Sequence, residues 1–136
     1  MRSRYIFDAG VLFLYFAGNS KVRGYFEEVN RGESEGFVSE VTLAEFYYKT
    51  AEEFGLEMAK IRYDSIRNSR VKQLPPKGNV TENAAILKIR TRNRLALADC
   101  FLMSEGESLG AKILTTDSGI KEIGGDRVRC FEVSLN

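Results

Sequence analysis

Residues 95–118 read LALADCFLMSEGESLGAKILTTDS, and this stretch decides the fold class. Apolar residues at helical spacing predict a helix over 96–109, and Gly110 is a typical helix stop. A short β-type run follows at 112–116 and ends at Asp117, ahead of a short helical segment at 118–122. A helix that leads into a strand and then another helix is typical of a parallel sheet covered by helices.

The same alternation continues through the rest of the chain. Four further β-type runs are bounded by turn residues, at 5–7, 36–38, 71–74 and 128–133. Helical periodicity predicts five more helices, at 11–17, 21–30, 41–54, 56–67 and 82–93. The segment 74–80, with two Pro and one Gly, is predicted to be a loop. The sequence therefore predicts one α/β domain over residues 1–136, with a five-stranded parallel sheet between two layers of helices.

The composition excludes several classes of protein. With 136 residues, of which 43% are hydrophobic, the chain can bury a core without disulfide bonds. It has no His, which excludes a His general base, Ser-His-Asp and Cys-His nucleophilic sites, and His-ligated zinc. Cys100 and Cys130 are expected to be reduced and buried. The 20 basic and 19 acidic residues give a formal net charge of +1, so any contact with nucleic acid must be local.

The N-terminal segment has only part of a signal-peptide pattern. Arg2 and Arg4 precede an uncharged run over 9–17, but Asp8 interrupts the segment and no Ala-x-Ala cleavage pattern follows. No stretch is long and apolar enough to span a membrane. We therefore expect a cytoplasmic protein with no membrane partner.

Four acidic residues fall at junctions between the predicted elements. Asp8 ends the first strand and Asp117 ends the fourth, while Glu45 and Asp99 lie near the beginnings of two helices. Each has a structural explanation of its own. Asp8 and Asp117 are typical N-caps, Thr42 and Glu45 fit a capping box, and Asp99 suits the positive end of a helix dipole. These explanations do not account for four acids at one end of the sheet, the end where ligands collect in parallel sheets.

Glu45 and Asp99 also occupy predicted apolar stripes. The stripes are Val41, Ala44, Glu45 and Tyr48 in one helix, and Leu95, Ala98, Asp99 and Leu102 in the other. Acidic residues on a core-facing stripe need partners, because a charge is almost never fully buried without one. The sequence therefore predicts that these two acids meet other polar groups.

Carboxylates that lie close together need a nearby positive charge to offset their mutual repulsion. Two carboxylates about 4 Å apart repel by roughly 4 kcal/mol at an effective dielectric of 20. Because no His is available, and because carboxylate oxygens suit hard divalent ions, the pattern favours Mg²⁺ or Mn²⁺. A site of this kind activates water and stabilises charge on a phosphate, which favours hydrolysis of phosphodiester bonds.

These residues carry a resemblance to a known family. Asp8 after the first strand, Glu45 in VSEVTLAEF, Asp99 in LALAD and Asp117 in TTD together resemble the PIN domain family of metal-dependent ribonucleases. The resemblance covers essentially the whole chain and is nearest to the small VapC-type toxins of toxin–antitoxin pairs. It implies a three-layer α/β/α fold whose five-stranded sheet has the strand order 3-2-1-4-5.

The resemblance implies an endoribonuclease that uses Mg²⁺ or Mn²⁺ and acts on RNA. It gives a catalytic and metal-binding role to four acids and a supporting role to two hydroxyls, namely Asp8, Glu45, Asp99 and Asp117, and Thr115 and Ser39. The family commonly has Ser, Thr or Asn just after the first Asp, where this chain has Ala9 and Gly10. One polar side chain that would support the site is therefore missing.

Basic residues around the weak third strand are a second candidate for contact with RNA. Arg67, Arg70, Lys72 and Lys77 could flank a groove there, although the small net charge favours a solvated surface.

The helix at 11–17 is apolar on all sides, which favours a homodimer in which a second copy covers it.

The acidic pocket leaves other functions open. The resemblance admits as a partner a small antitoxin protein with a basic tail, since an acidic pocket can receive an inserted Arg or Lys. The alternative to an enzyme is a catalytically silent PIN-like module whose pocket holds a basic partner segment. A phospho-accepting receiver domain has a similar sheet. It would need an Asp after the third strand, where this chain has Leu74 and Pro75. It would also need a Lys after the fifth strand, where this chain has residues 134–136.

Overall fold

The computed structural model of the chain describes residues 2–92 and 94–133. A parallel sheet of five strands lies at its centre, in the order β3-β2-β1-β4-β5. The strands are β1 (Arg4–Phe7), β2 (Glu35–Ser39), β3 (Lys72–Leu74), β4 (Lys112–Thr115) and β5 (Val128–Cys130). The predicted α/β class and strand order are confirmed. Residues 134–136, where a receiver domain would need its Lys, lie outside the described residues.

Helices connect the strands on both faces of the sheet. Among the described residues they are α1 (Ala9–Phe16), α2 (Ser20–Asn30), α3 (Glu40–Phe54), α4 (Leu56–Arg67), α5 (Gly78–Arg90), α6 (Leu97–Leu109) and α7 (Ser118–Gly124). None of these described helices is long and apolar enough to cross a bilayer. A 3-10 turn (Gly125–Arg127) precedes β5, which stops at Cys130 rather than at 133.

The largest difference from the prediction is the start of α5. This helix begins at Gly78, inside the segment predicted to be a loop, and ends at Arg90, ahead of the predicted end at 93, a residue that is not described. The early start has a tertiary cause. Val80 is buried, and its carbonyl accepts a hydrogen bond of 2.9 Å from the hydroxyl of Ser104 on α6. Packing against α6 therefore overrides the weak local signal.

Successive residues of the central strands point into two separate cores. Ile6 and Ile113 pack beneath α5, α6 and α7, whereas Phe7 and Leu114 pack beneath α1, α2, α3 and α4. All four side chains are buried. A strand that is buried on both faces is expected for a parallel sheet between two helical layers, so the three-layer architecture is confirmed.

The strand register brings three polar side chains into one row. β1 pairs Ile6 with Phe37 of β2 on one side and with Ile113 of β4 on the other. Because side chains alternate along a strand, the residues two positions further on share the same face. This row at the carboxyl edge of the sheet consists of Asp8, Ser39 and Thr115. The described fold thus places polar groups from three neighbouring strands next to one another.

The apolar helix α1 is covered largely from within the chain. Phe13 packs on Phe46 of α3 with ring centroids 5.0 Å apart, and Tyr15 stacks on Phe26 of α2 with centroids 4.1 Å apart. Contacts with α2 and α3 therefore explain much of the hydrophobicity that favoured burial by a second copy. The homodimer stays a prediction.

Of the two cysteines, Cys100 is buried as expected, but Cys130 is only half-buried, and both are free.

Candidate active site

Asp8 occupies the centre of the polar row and also begins α1. Asp8 is 7% exposed. Its Oδ1 accepts a hydrogen bond of 2.7 Å from the N–H of Ala9, and its Oδ2 accepts one of 2.6 Å from the hydroxyl of Thr115. Burial raises the pKa of Asp8 above its usual value, and the charges of Glu45 and Asp117 raise it further, against the two hydrogen bonds.

Thr115 links two of the four acids. While its hydroxyl donates to Asp8, the same oxygen accepts a hydrogen bond of 3.0 Å from the backbone N–H of Asp117. Asp117 caps α7, because its Oδ1 accepts from the N–H of Gly119 at 2.8 Å. The N-cap roles of Asp8 and Asp117 and their position at one sheet edge thus coexist. The hydroxyl of Thr115 lies where a support for these two acids was predicted.

Asp99 approaches this edge from the first turn of α6 and is half-buried. Burial raises the pKa of Asp99 to about 6, and the charges of Asp8, Asp117 and Glu45 add to the rise. Carboxylates raise one another's pKa in this way only when they lie near one another. Asp8, Glu45, Asp99 and Asp117 therefore form one electrostatic cluster, which we call the acid cluster.

The predicted apolar stripe of α3 is wrong, because the buried residues lie on nearly the opposite side of the helix. The buried residues are Thr42, Leu43, Phe46 and Thr50. The large side chains Leu43 and Phe46 fill the core, whereas Ala44 and Tyr48 are exposed. The predicted capping box of Thr42 and Glu45 is also absent, because Ser39 caps the helix.

Glu45 consequently lies at the rim of the core. Its side chain is 19% exposed, and its Oε2 is 3.6 Å from the Nζ of Lys49. Asp99 has a similar position on α6. Leu102 is buried there as predicted, but Cys100 and Met103 also belong to the buried face, and Ala98 is half-buried. Both acids can therefore contact water and a ligand, which fully buried acids could not.

Ser39 lies beside Asp8 in the row but makes other contacts. Its Oγ accepts from the N–H of Val41 at 3.1 Å and donates to Oε1 of Glu105 at 3.1 Å. Within the part of the chain that the structure describes, no hydrogen bond joins Ser39 to the acid cluster. Its supporting role stays a prediction.

Glu105 is a polar residue of this region that the sequence reasoning missed. It is 3% exposed, and its Oε2 has no hydrogen-bond partner among the described residues. Burial raises the pKa of Glu105 to about 7, and the hydrogen bond from Ser39 lowers it only in part. A signal was present, because Glu105 follows Leu102 by one helical turn and so lies on an apolar stripe.

The oxygen donors of the acid cluster suit a hard divalent cation. Four carboxylates and the Thr115 hydroxyl are all oxygen ligands, which Mg²⁺ and Mn²⁺ prefer. Among the described residues, Lys49 alone forms an ion pair with the cluster, so much negative charge is uncompensated. Over 2–92 and 94–133, no three Asp, Glu, Cys or His side chains are arranged so that they could hold a metal ion. A cation would therefore have to draw these side chains together.

Two of the four basic residues that could flank an RNA groove, Arg67 and Lys72, lie close to carboxylates. The guanidinium of Arg67 binds both carboxylate oxygens of Glu40, at 2.6 and 2.5 Å, and lies over the ring of Tyr63. Lys72 lies 3.5 Å from a carboxylate oxygen of Glu35. The pairing with Glu40 offsets the charge of Arg67, which weakens the case for an RNA groove beside β3.

Comparisons with known proteins agree with the architecture. The family model of the PIN domain matches residues 5–126. No curated protein matches the sequence.

Several solved structures have the same fold. VapBC2 from Rickettsia felis bound to a promoter DNA fragment has a TM-score of 0.74 at 14% identity, over 95% of this chain and 98% of that one. DNA-bound VapBC from Salmonella typhimurium gives 0.73 at 18%, over 96% and 98%. VapC20 from Mycobacterium tuberculosis, a toxin that cleaves the sarcin–ricin loop, gives 0.70 at 15%, over 92% and 98%. At these identities the similarity establishes the fold alone.

Proposed function

Because the chain belongs to the PIN domain family, we propose that it is a divalent-metal-dependent endoribonuclease, the VapC-like toxin of a toxin–antitoxin pair. The observation that carries the proposal is the acid cluster at the carboxyl edge of the sheet, in which burial and three neighbouring carboxylates raise the pKa of Asp99. RNA as the substrate is supported by a structural neighbour that cleaves the sarcin–ricin loop.

Each member of the cluster has a distinct role in this proposal. Asp8, Asp99 and Asp117 would hold Mg²⁺ or Mn²⁺, and Glu45 would add a ligand or orient the attacking water. The bound cation would supply positive charge that activates water and stabilises the phosphate as it is attacked. Thr115 holds the carboxylate of Asp8 and ties it to the backbone of Asp117. Because Asp8 is buried, few water molecules compete for its oxygens.

Calorimetry with Mn²⁺ tests the metal site directly. The parent should bind Mn²⁺, and Asp99→Asn should lose at least about tenfold in affinity, as even outer residues of metal sites cost that much. Glu107→Gln is the matched control, since Glu107 lies on the same helix with its side chain 75% exposed, and it should bind like the parent. A bound ion should also stabilise the fold by about 2.7 kcal/mol at a hundredfold excess over its Kd. Equal binding by the parent and Asp99→Asn would reject the assignment.

Cleavage of a heterogeneous RNA pool tests the reaction. We expect fragments with the parent and with Glu107→Gln when Mn²⁺ is present, and none with EDTA or with Asp99→Asn. A broad pool is needed because the preferred RNA sequence is unknown. If Asp99→Asn cleaves as fast as the parent, the acid cluster is not the active site.

One observation favours a second function, that of a binding module. No three acids among the described residues are arranged to hold a metal, and an acidic pocket of this kind suits an inserted Arg or Lys. VapBC complexes among the structural neighbours support a small antitoxin as that partner. Purification with a small basic protein, followed by its removal, distinguishes the two functions. Released ribonuclease activity supports the enzyme, whereas its absence supports the silent module.

A further inference from the structure

A second polar pair lies beside the acid cluster, between β2 and α6. Ser39 is fully buried, and its hydroxyl donates to Oε1 of Glu105 at 3.1 Å. The same Ser39 oxygen accepts from the N–H of Val41 at 3.1 Å and so caps α3. These contacts connect α6 to the start of the helix that carries Glu45.

We infer that Glu105 is a positioning residue for the acid cluster: through Ser39 it fixes the start of α3 and thereby the position of Glu45. The inference rests on the proposed function, in which Glu45 acts at the metal site. Packing alone does not explain a Glu at this position. An apolar residue would fill the same volume without leaving Oε2 buried and unpartnered, which is costly.

The protonation state of Glu105 provides a way to test the inference. Burial raises the pKa of Glu105 to about 7, so the side chain is neutral in mildly acidic solution and ionised in alkaline solution. A buried carboxylate with one hydrogen-bond donor favours movement toward water. Such a movement would release Ser39 and loosen the cap of α3.

Other charges do not account for this behaviour of Glu105. The elements that pack against α6 carry charged residues toward the carboxyl edge, among them Lys88 on α5, Glu40 and Glu45 on α3, Asp8 after β1, Asp117 after β4 and Lys121 on α7. β2 and β4 carry charge only at their opposite ends. None of these described groups contributes to the raised pKa of Glu105, which results from burial opposed by Ser39.

The backbone amide of Val41 reports on the cap without any metal. Its NMR resonance should shift with pH in the parent, with a midpoint near 7, and should not shift with this midpoint in Glu105→Gln. The Gln side chain keeps the size and the neutral form of the protonated acid. Glu107→Gln, on the exposed face of the same helix, should titrate like the parent. A Val41 resonance that is constant in the parent, or identical in the parent and Glu105→Gln, overturns the inference.

Mn²⁺ affinity reports on the acid cluster itself. The ratio of the parent's Kd to that of Glu105→Gln cancels the titration of the other acids. It should be close to one at about pH 6 and rise to about tenfold at about pH 8.5, the lower end of the cost for outer residues of metal sites. A purely structural role predicts a constant ratio, and that result overturns the inference. If the parent binds no Mn²⁺, the proposed function fails, and the Val41 titration still decides the role of Glu105.

Discussion

Gly10, in α1, packs closely against the side chain of Thr116 in the turn after β4. A Cβ at this position would overlap Oγ1 of Thr116, closer than any real contact. We predict that Gly10→Ala destabilises the protein by about 1–3 kcal/mol, because the added atom forces apart the segments that carry Asp8 and Asp117. Urea unfolding measures the free energy change, and Mn²⁺ calorimetry should show weaker binding.

Two further variants make this prediction specific. Thr116→Gly removes the obstructing hydroxyl, so the double variant with Gly10→Ala should recover most of the lost stability. Gly24→Ala is the control, because Gly24 lies inside α2 and an added methyl group would have no atom within 4 Å. Ala there should stabilise the protein by roughly 0.5–1 kcal/mol. If the two changes at 10 and 116 are simply additive, the steric explanation is wrong.

Glu105 should make the stability of the folded chain fall as pH rises. Its pKa is about 7 in the folded chain and near 4.5 when unfolded, so the folded state binds more protons between these values. The stabilisation by the neutral acid is complete below about pH 4.5 and is lost as pH rises through 7, a change of up to about 3 kcal/mol. Urea unfolding of the parent and Glu105→Gln from pH 4 to 8 measures this. Parallel pH profiles would contradict a raised pKa.

At the scale of elements, the packing of α1 on α3 depends on one aromatic side chain. Phe46 is fully buried and contacts the rings of Phe13 and Phe16, at centroid distances of 5.0 and 5.7 Å. Phe46→Ala should therefore destabilise the protein by about 3–5 kcal/mol. Tyr48→Ala, on the same helix but 51% exposed, should change the stability by no more than about 0.5 kcal/mol. Thermal unfolding compares the two, and similar losses would mean that the core face of α3 is misassigned.

The elements that could be predicted are those with local signals. Gly110 ends α6 in the left-handed conformation that a glycine stop predicts, with a φ of 62°. The runs of β1 and β4 have the continuous hydrophobicity of strands buried on both faces. The start of α5 could not be predicted, because it depends on the contact of Val80 with Ser104 of another helix.

The positions of two members of the acid cluster could be predicted from the sequence. Asp8 and Asp117 follow parallel strands, so the topology alone brings them to one edge of the sheet. The side of α3 that faces the core was not accessible, because two apolar stripes compete and only packing volume favours the one with Phe46. The contact of Ser39 with Glu105 was also inaccessible, since it joins residues far apart in the chain through the packing of α6.

At the scale of the whole molecule, charge is nearly balanced. The formal net charge is +1, and several basic residues form ion pairs on the surface, so the protein has no strong general attraction for polyanions. The acid cluster adds local repulsion at the place where a scissile phosphate would lie. If the proposed function is correct, the cation must therefore contribute to substrate binding as well as to chemistry.

This balance predicts that RNA binding depends on the divalent ion itself. Glu45→Gln should slow cleavage while keeping the three aspartates, so fluorescence anisotropy with labelled single-stranded RNA can measure its affinity. We expect at least about tenfold tighter binding in Mn²⁺ than in NaCl of equal ionic strength, because an uncompensated carboxylate repels a phosphate by roughly 1–4 kcal/mol at 4 Å. Equal ionic strength controls for general screening, so the difference measures the specific ion. Equal affinities would mean that RNA is held away from the acid cluster, and the cluster would then have to act on a different ligand.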